Sequence, residues 1–328
     1  MILRTELSIP PSANKMEHLD EIMTFGSCFS HHIGHRLQKY KFKCICNPFG
    51  TVFNPISISR LIRYVCLNHQ VDTTSLLKSQ GLWVHPDFHS MLSHSDQKTA
   101  AENINNKIAN IHSQLKTLKH LFITLGTSWA YKQKSNDQIV TNCHKIAASS
   151  FIKVNIGIDE GFQALSDAFE TLRKINPNLL IIITVSPVRH IKDGIVENSL
   201  SKARLHAISE KLLTKFENVT YFPAYEWMID DLRDYRYYEA DMIHPNPIAI
   251  DYIWGKFADY YFTENIKQLN KKIDSILQAA QHKPFNPSSV EHISFCKKQL
   301  AAINELIKYS SNFDFTEEQR FFKSFANS

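Results

Sequence analysis

Glycine is scarce in this 328-residue chain, with nine in all against an average usage of roughly 7%. A chain so sparing with glycine keeps it where backbone geometry demands it. Gly26 and Gly126 each end an apolar run, and Gly50 follows Asn47-Pro48-Phe49. Six cysteines over this length are not a disulfide scaffold. Cys44-x-Cys46 lacks the second pair of a structural zinc site, so no metal is expected and a reducing, cytoplasmic setting follows. The longest apolar run, Leu179 to Val185, falls far short of the ~20 residues that cross a bilayer. The opening MILRTELSIPPSANK has neither the apolar core nor the cleavage site of a secretory leader. Neither G-x-x-x-x-G-K-[ST] nor G-x-G-x-x-G occurs, which disfavours nucleotide binding by those means. Net charge is only +5, without the basic stripe that tracks nucleic acid. The positive charges from Lys192 to Arg204 read as a solvated helix face. Neither nucleic acid nor a membrane is an expected partner, and the residues do not fix an oligomeric state.

What is present is alternation. Hydrophobic residues make up 43% of the chain, enough for a sizeable core. From Ile22 to about Phe262, short apolar runs alternate with segments of helical periodicity. NLLIIITVSP is uninterrupted and ends at Pro187, as in a strand buried on both faces of a parallel sheet. Strands alternating with helices imply an α/β fold: a doubly wound, three-layer αβα arrangement around a mainly parallel sheet, with its site at the carboxyl ends of the strands. Beyond Thr263 the strands stop, and two amphipathic segments joined by Lys283-Pro284-Phe285-Asn286-Pro287 read as a helical hairpin. The expected division is 1–262 for the main domain and 263–328 for a helical appendage packed on it.

Several stretches could carry chemistry. In EIMTFGSCFSHHIGHRL, Ser27 and Cys28 stand together at the start of an expected helix. Unpaired N–H groups there stabilise a thiolate or a nearby oxyanion. An ordinary N-cap by Ser27, with Cys28 buried, explains the same residues. Asp241-Met242-Ile243-His244 is the one Asp-x-x-His of the chain, a spacing that lets a carboxylate fix the imidazole tautomer and leave a free nitrogen as base. Among 16 histidines chance alone can produce it. Gly126-Thr127-Ser128-Trp129-Ala130 approaches a nucleophile elbow, but the hairpin expected after Trp129 argues against one. That leaves Thr127 and Ser128 as polar site-lining groups. His85, Asp87 and His89 could hold a metal, although Pro86 interrupts any helix there. With His144 they more readily line a pocket mouth. Arg189, in Ser186-Pro187-Val188-Arg189-His190, lies where a buried strand ends and either meets substrate or is exposed.

Together, FGSCF, NPFGTVFNP, LWVHPDFHS, ITLGTSWAY, NCHK, TVSPVRH with ENSLSKARL, and DMIHPNPIA resemble the GSCFA family, a bacterial group related to the SGNH (GDSL-like) hydrolases. The tail containing HKPFNPSS resembles that family's C-terminal region. The resemblance implies a flavodoxin-like fold and a transient acyl-enzyme. It places the nucleophile block on Gly26 to Phe29, the oxyanion glycine on Gly50, and the final acid–base pair on Asp241 and His244. Two departures stand out. Where relatives read Gly-Asp-Ser, this chain has Gly26-Ser27-Cys28, so gapless alignment selects Cys28 and a one-residue slide selects Ser27. Where relatives read Gly-x-Asn-Asp, it has Gly126-Thr127-Ser128-Trp129, leaving Thr127 or Ser128 to replace an oxyanion asparagine.

The resulting expectation is an ester hydrolase or O-acyltransferase. Its catalytic residues are Cys28 or Ser27, His244 and Asp241, with oxyanion donors Gly50 and Thr127 or Ser128. His89, Trp129, His144 and Arg189 are expected to line the substrate, a small ester or acylated saccharide. No cofactor is expected, beyond an acyl-CoA-type donor for a transferase. The rival expectation is a catalytically silent domain that binds a ligand or protein.

Overall fold

Residues 6–326 are described in this computed structural model; the first five residues of the stretch read for a leader lie outside them. The chain begins with β1 (Glu21–Gly26), α1 (Cys28–Lys39), β2 (Cys44–Cys46) and α2 (Pro55–Leu67). There follow β3 (Leu77–Ser79), β4 (Leu82–Val84), α3 (Gln97–Gln114), β5 (Leu118–Leu125), β6 (Trp129–Gln133), β7 (Ile139–Val140) and β8 (Phe151–Asn155). Next come α4 (Ile158–Ile175), β9 (Leu180–Val185), α5 (Ile195–Lys215), β10 (Val219–Tyr221), α6 (Ala224–Glu226) and α7 (Pro247–Tyr261). The last helices are α8 (Glu264–Gln281), α9 (Val290–Tyr309) and α10 (Thr316–Ala326).

Two compact units emerge. One is built mainly on Glu21–His35 and Cys44–Trp254, the other on Ile9–Asp20, Arg36–Lys43 and the chain from Gly255 onward. The first contains the central sheet, in the order β10-β9-β5-β1-β2, with every neighbouring pair parallel. Ranked by their place in the chain, these strands run 5-4-3-1-2, the flavodoxin-like order read from the other edge. The α/β fold with a mainly parallel sheet is therefore the one the alternating pattern implied. Met23 and Phe25 of β1, Leu121 and Ile123 of β5, and Ile181 and Ile183 of β9 bury one face against α2, α3, α4 and α5. The intervening Ile22, Phe122 and Ile182 are buried too. Both faces are covered, which is why these strands read as continuous apolar runs.

Local chemistry sets the helix starts. Asn54 accepts a hydrogen bond from Ser57 N at 2.9 Å with Pro55 at the first helical position, an N-cap with the φ of the first turn already fixed. β6 pairs antiparallel with β7 and β8, the hairpin expected after Trp129.

In the second unit, α8, α9 and α10 share a core of Leu269, Ile273, Ile276, Cys296, Ile303, Leu306, Phe315 and Phe322. The expected hairpin thus has a third member. Lys41 Nζ lies 2.8 Å from Glu318 Oε1, and both side chains are largely buried.

Candidate active site

The order of the sheet reverses between β1 and β5, and at that switch point the strand ends open a crevice. β1 ends at Gly26 with φ +136°, and a Cβ there would come 2.3 Å from Thr124 O. Only glycine lets the two strands pass so closely before the chain turns into α1. Ser27 is the first residue beyond that glycine. Its Oγ accepts from Phe29 N at 3.3 Å and donates to Ser186 Oγ at 3.0 Å, and the residue is 2% exposed. Ser27 is therefore the cap of α1, with its hydroxyl committed on both sides. Cys28 is half-buried at the first helical position. Burial pushes its thiol above the ordinary value, partly offset by its own backbone N–H. At rest this sulfur carries its proton.

The second half of the site comes from the loop before α7. Asp241 Oδ1 accepts from Ile243 N at 2.8 Å and His244 N at 3.0 Å, folding the loop around the carboxylate. Its Oδ2 lies 2.7 Å from His244 Nδ1. The bond to the imidazole, then those from the His244 and Ile243 N–H groups, hold the Asp241 carboxyl down at about 2. Arg189 anchors the loop from the end of β9. Its backbone N donates to Ile243 O at 3.1 Å and its guanidinium to Met242 O at 3.0 Å. The same guanidinium lies 5.8 Å and 5.6 Å from the ring centroids of Tyr235 and Tyr238.

Ser27, Cys28 and His244 line one cavity of about 250 Å³, with Phe53, Gly126, Ser186, Arg189 and His190 among its other walls. No hydrogen bond joins Cys28 to His244 among the described residues. Arg189 also lines an adjoining cavity of about 430 Å³ that includes Tyr225, Tyr235 and Tyr238. Burial, then the charges of Lys202 and Lys153, push His190 down to about 4, so that ring is neutral at pH 7.

Three expected oxyanion donors are engaged elsewhere. Gly50 N donates to Asn47 O at 2.8 Å, so this N–H closes a turn and is not offered to the cavity. The glycine is needed for shape: at φ +82° a Cβ would meet His89 Cβ at 2.4 Å. Thr127 Oγ1 lies 3.0 Å from Ser201 Oγ, and Ser128 Oγ donates to Asn155 Oδ1 at 2.7 Å. Both are buried and brace β6 and α5 rather than facing the cavity. Gly126 N and Thr127 N both donate to Phe53 O, at 2.8 and 3.1 Å.

Of the four residues expected to line the substrate, Arg189 lies in the wall of this cavity. His89 Nδ1 accepts from Met91 N at 3.2 Å as a local cap. His144 Nε2 lies 2.8 Å from His85 O, and Trp129 begins β6 beside Lys153. None of these three lines the cavity. The metal grouping of His85, Asp87 and His89 is likewise dispersed. Asp87 Oδ1 pairs with Arg60 at 2.5 Å, and His85 Nδ1 accepts from Asp87 N at 3.1 Å.

Lys202 is the residue that pattern reading missed. It falls within the segment read as a solvated helix face, yet it is 2% exposed. Its Nζ donates to Gly126 O at 2.8 Å and Ser186 O at 2.7 Å, tying the ends of β5 and β9 beneath the cavity. Burial pushes it down to about 7. The available signal is its spacing: Asn198, Ser201, Lys202 and Leu205 form one buried face of α5.

The family model described as GSCFA family matches residues 21–257, and that of the GSCFA domain protein C-terminal domain matches residues 273–327. No curated protein matches the chain.

Proposed function

The chain belongs to the GSCFA family, and from that premise we propose that it performs acyl-ester chemistry through a thioester formed on Cys28. The observation that carries this reading is the shared cavity of Cys28 and His244, with Asp241 Oδ2 2.7 Å from the far ring nitrogen. A nucleophile, a base and a carboxylate orienting that base then serve one space. Cys28 is preferred over Ser27 because the serine hydroxyl is already spent on capping α1 and on Ser186.

Because burial keeps the thiol protonated, attack is coupled to proton transfer rather than begun from a resting thiolate. As the Cys28 sulfur bonds to the acyl carbon, its proton passes to His244 Nε2. The ester C–O bond then breaks and His244 protonates the departing alkoxide. Water or a second alcohol attacks the thioester and gives its proton to His244. The C–S bond breaks and the thiol recovers that proton. Asp241 stabilises the imidazolium in both half-reactions. The backbone N–H of Cys28, at the positive end of α1, supplies oxyanion stabilisation.

A cavity of about 250 Å³ suits a short acyl group, and the adjoining space lined by tyrosines suits the alcohol portion, a saccharide or other small alcohol. An acyl-CoA-type donor would serve a transferase. The engagement of Gly50, Thr127 and Ser128 elsewhere supports a second reading, a silent binding domain, since losing a single donor costs roughly 10²–10³ in rate. A panel of short-chain aryl and sugar esters, run on wild type, Cys28→Ala and His244→Ala, separates the two. Turnover lost in both variants supports the enzyme, and equal background in all three supports the silent domain.

A further inference from the structure

One turn beyond Cys28, α1 carries donors that the acyl chemistry does not use. His31 and His35 are four residues apart, so both rings leave the same side of the helix, and their centroids are 4.0 Å apart. β2 brings Cys46 alongside. Its Sγ lies 3.7 Å from His31 Nδ1, and one ligand atom from each of the three residues lies within 4.8 Å of the other two. The close approach depends on Gly34, where a Cβ would stand 2.5 Å from Cys46 Sγ. The sulfur also meets the carbonyls of Ser30 and His31, at the long distances of 4.0 and 3.7 Å, and the side chain of Thr24.

These separations suit one ion. Zinc bonds of about 2.3 Å to sulfur and 2.0–2.1 Å to imidazole nitrogen imply, in a tetrahedron, S···N edges of about 3.6 Å. The pair His31–Cys46 already stands at that edge. Both histidines are exposed and the cysteine half-buried, so an ion can enter from solvent. Two imidazoles and a thiolate, with no carboxylate in the cluster, favour borderline or soft cations over magnesium or calcium.

We propose that His31, His35 and Cys46 form a binding site for a thiophilic cation of the Zn²⁺ class, which ties α1 to β2 and leaves one tetrahedral position to solvent. Binding replaces the S–H bond of Cys46 with a metal–sulfur bond and releases one proton to solvent. The site is independent of the thioester reading, since none of its three donors takes part in that chemistry.

The test is a Co²⁺ titration of the reduced, chelator-treated full chain, read as thiolate-to-metal charge-transfer absorption in the near ultraviolet, followed by displacement with Zn²⁺. The expected result is one equivalent bound, a band abolished by Cys46→Ser, and affinity weakened roughly tenfold or more by His35→Ala. Cys44→Ser and Cys28→Ser should retain the band. A parallel measurement needs no variant: Zn²⁺ should slow alkylation of Cys46 in the wild-type chain, read by peptide mass spectrometry. Absence of the band in wild type, its persistence in Cys46→Ser, its loss in Cys28→Ser, or alkylation of Cys46 indifferent to Zn²⁺ would each overturn the assignment.

Discussion

Asp241 holds His244 through three contacts at once: its Oδ2 meets the ring at Nδ1, and its Oδ1 takes the N–H groups of Ile243 and His244 itself. The carboxylate thus sets both the tautomer and the loop that carries the ring. Asp241→Asn is expected to lower kcat by roughly 10³–10⁴, because the amide can donate to Nδ1 and favour the wrong tautomer. Steady-state kinetics on any ester that the wild type turns over checks this. With its folded value held at about 2, below the ordinary carboxylate value near 3.9, Asp241 contributes loop stability above that ordinary value. The contribution is lost as pH falls through about 2. NMR titration of the Asp241 carboxyl carbon reads it directly.

Arg189 holds the loop that carries His244. Arg189→Ala removes the guanidinium bond to Met242 O and its packing on Tyr235 and Tyr238, while leaving the backbone bond to Ile243 O. A misplaced base of this kind costs roughly 10² in rate. The expected outcome is a fall in kcat with circular dichroism unchanged, and Arg189→Lys should rescue little because the planar stacking is lost.

Ser27 and Cys28 should separate cleanly. Ser27→Ala removes an N-cap and should cost about 0.5–2 kcal/mol of stability, measurable by denaturant unfolding, while leaving a nucleophile in place. Cys28→Ala should leave stability nearly unchanged and remove turnover.

Lys202 gives a pH signature. Its folded value is about 7 against 10.5 for the free side chain, so between those limits the unfolded chain binds more protons. Stability attributable to this residue therefore rises with pH from about 7 to 10.5, by at most roughly 1.4 kcal/mol per unit. Below about 7 both states are protonated and the full cost of burying the ammonium persists. Lys202→Met should lack that slope when the two proteins are unfolded in denaturant across pH 7–10. Parallel curves would contradict a lysine whose ammonium form is disfavoured by burial.

How much of this was legible in the sequence depended on distance along the chain. The turn at Gly26, the run Leu180–Val185 and the Asp241-x-x-His244 spacing are local, and periodicity or neighbouring residues display them. The roles of Gly50, Thr127 and Ser128 are not local. Thr127 and Ser128 are claimed by Ser201 and Asn155, residues that only folding brings near. Gly50 is fixed by Asn47 and by the packing of His89. Lys202 was hidden for a different reason: a lysine in a polar segment reads as solvated unless its helical neighbours are tested for a buried face. The third C-terminal helix, α10, was overlooked because its sequence TEEQRFFKSFA is short and rich in polar residues.

The most direct test of the proposed chemistry is intact-mass analysis of the chain, quenched within the first turnover of an activated acetyl ester, followed by peptide mapping. The account predicts one acetyl group on Cys28, absent in Cys28→Ala, retained in Ser27→Ala, and formed far more slowly in His244→Ala. An acetyl group on Ser27, or labelling of Cys28 at the same rate with and without His244, would contradict it.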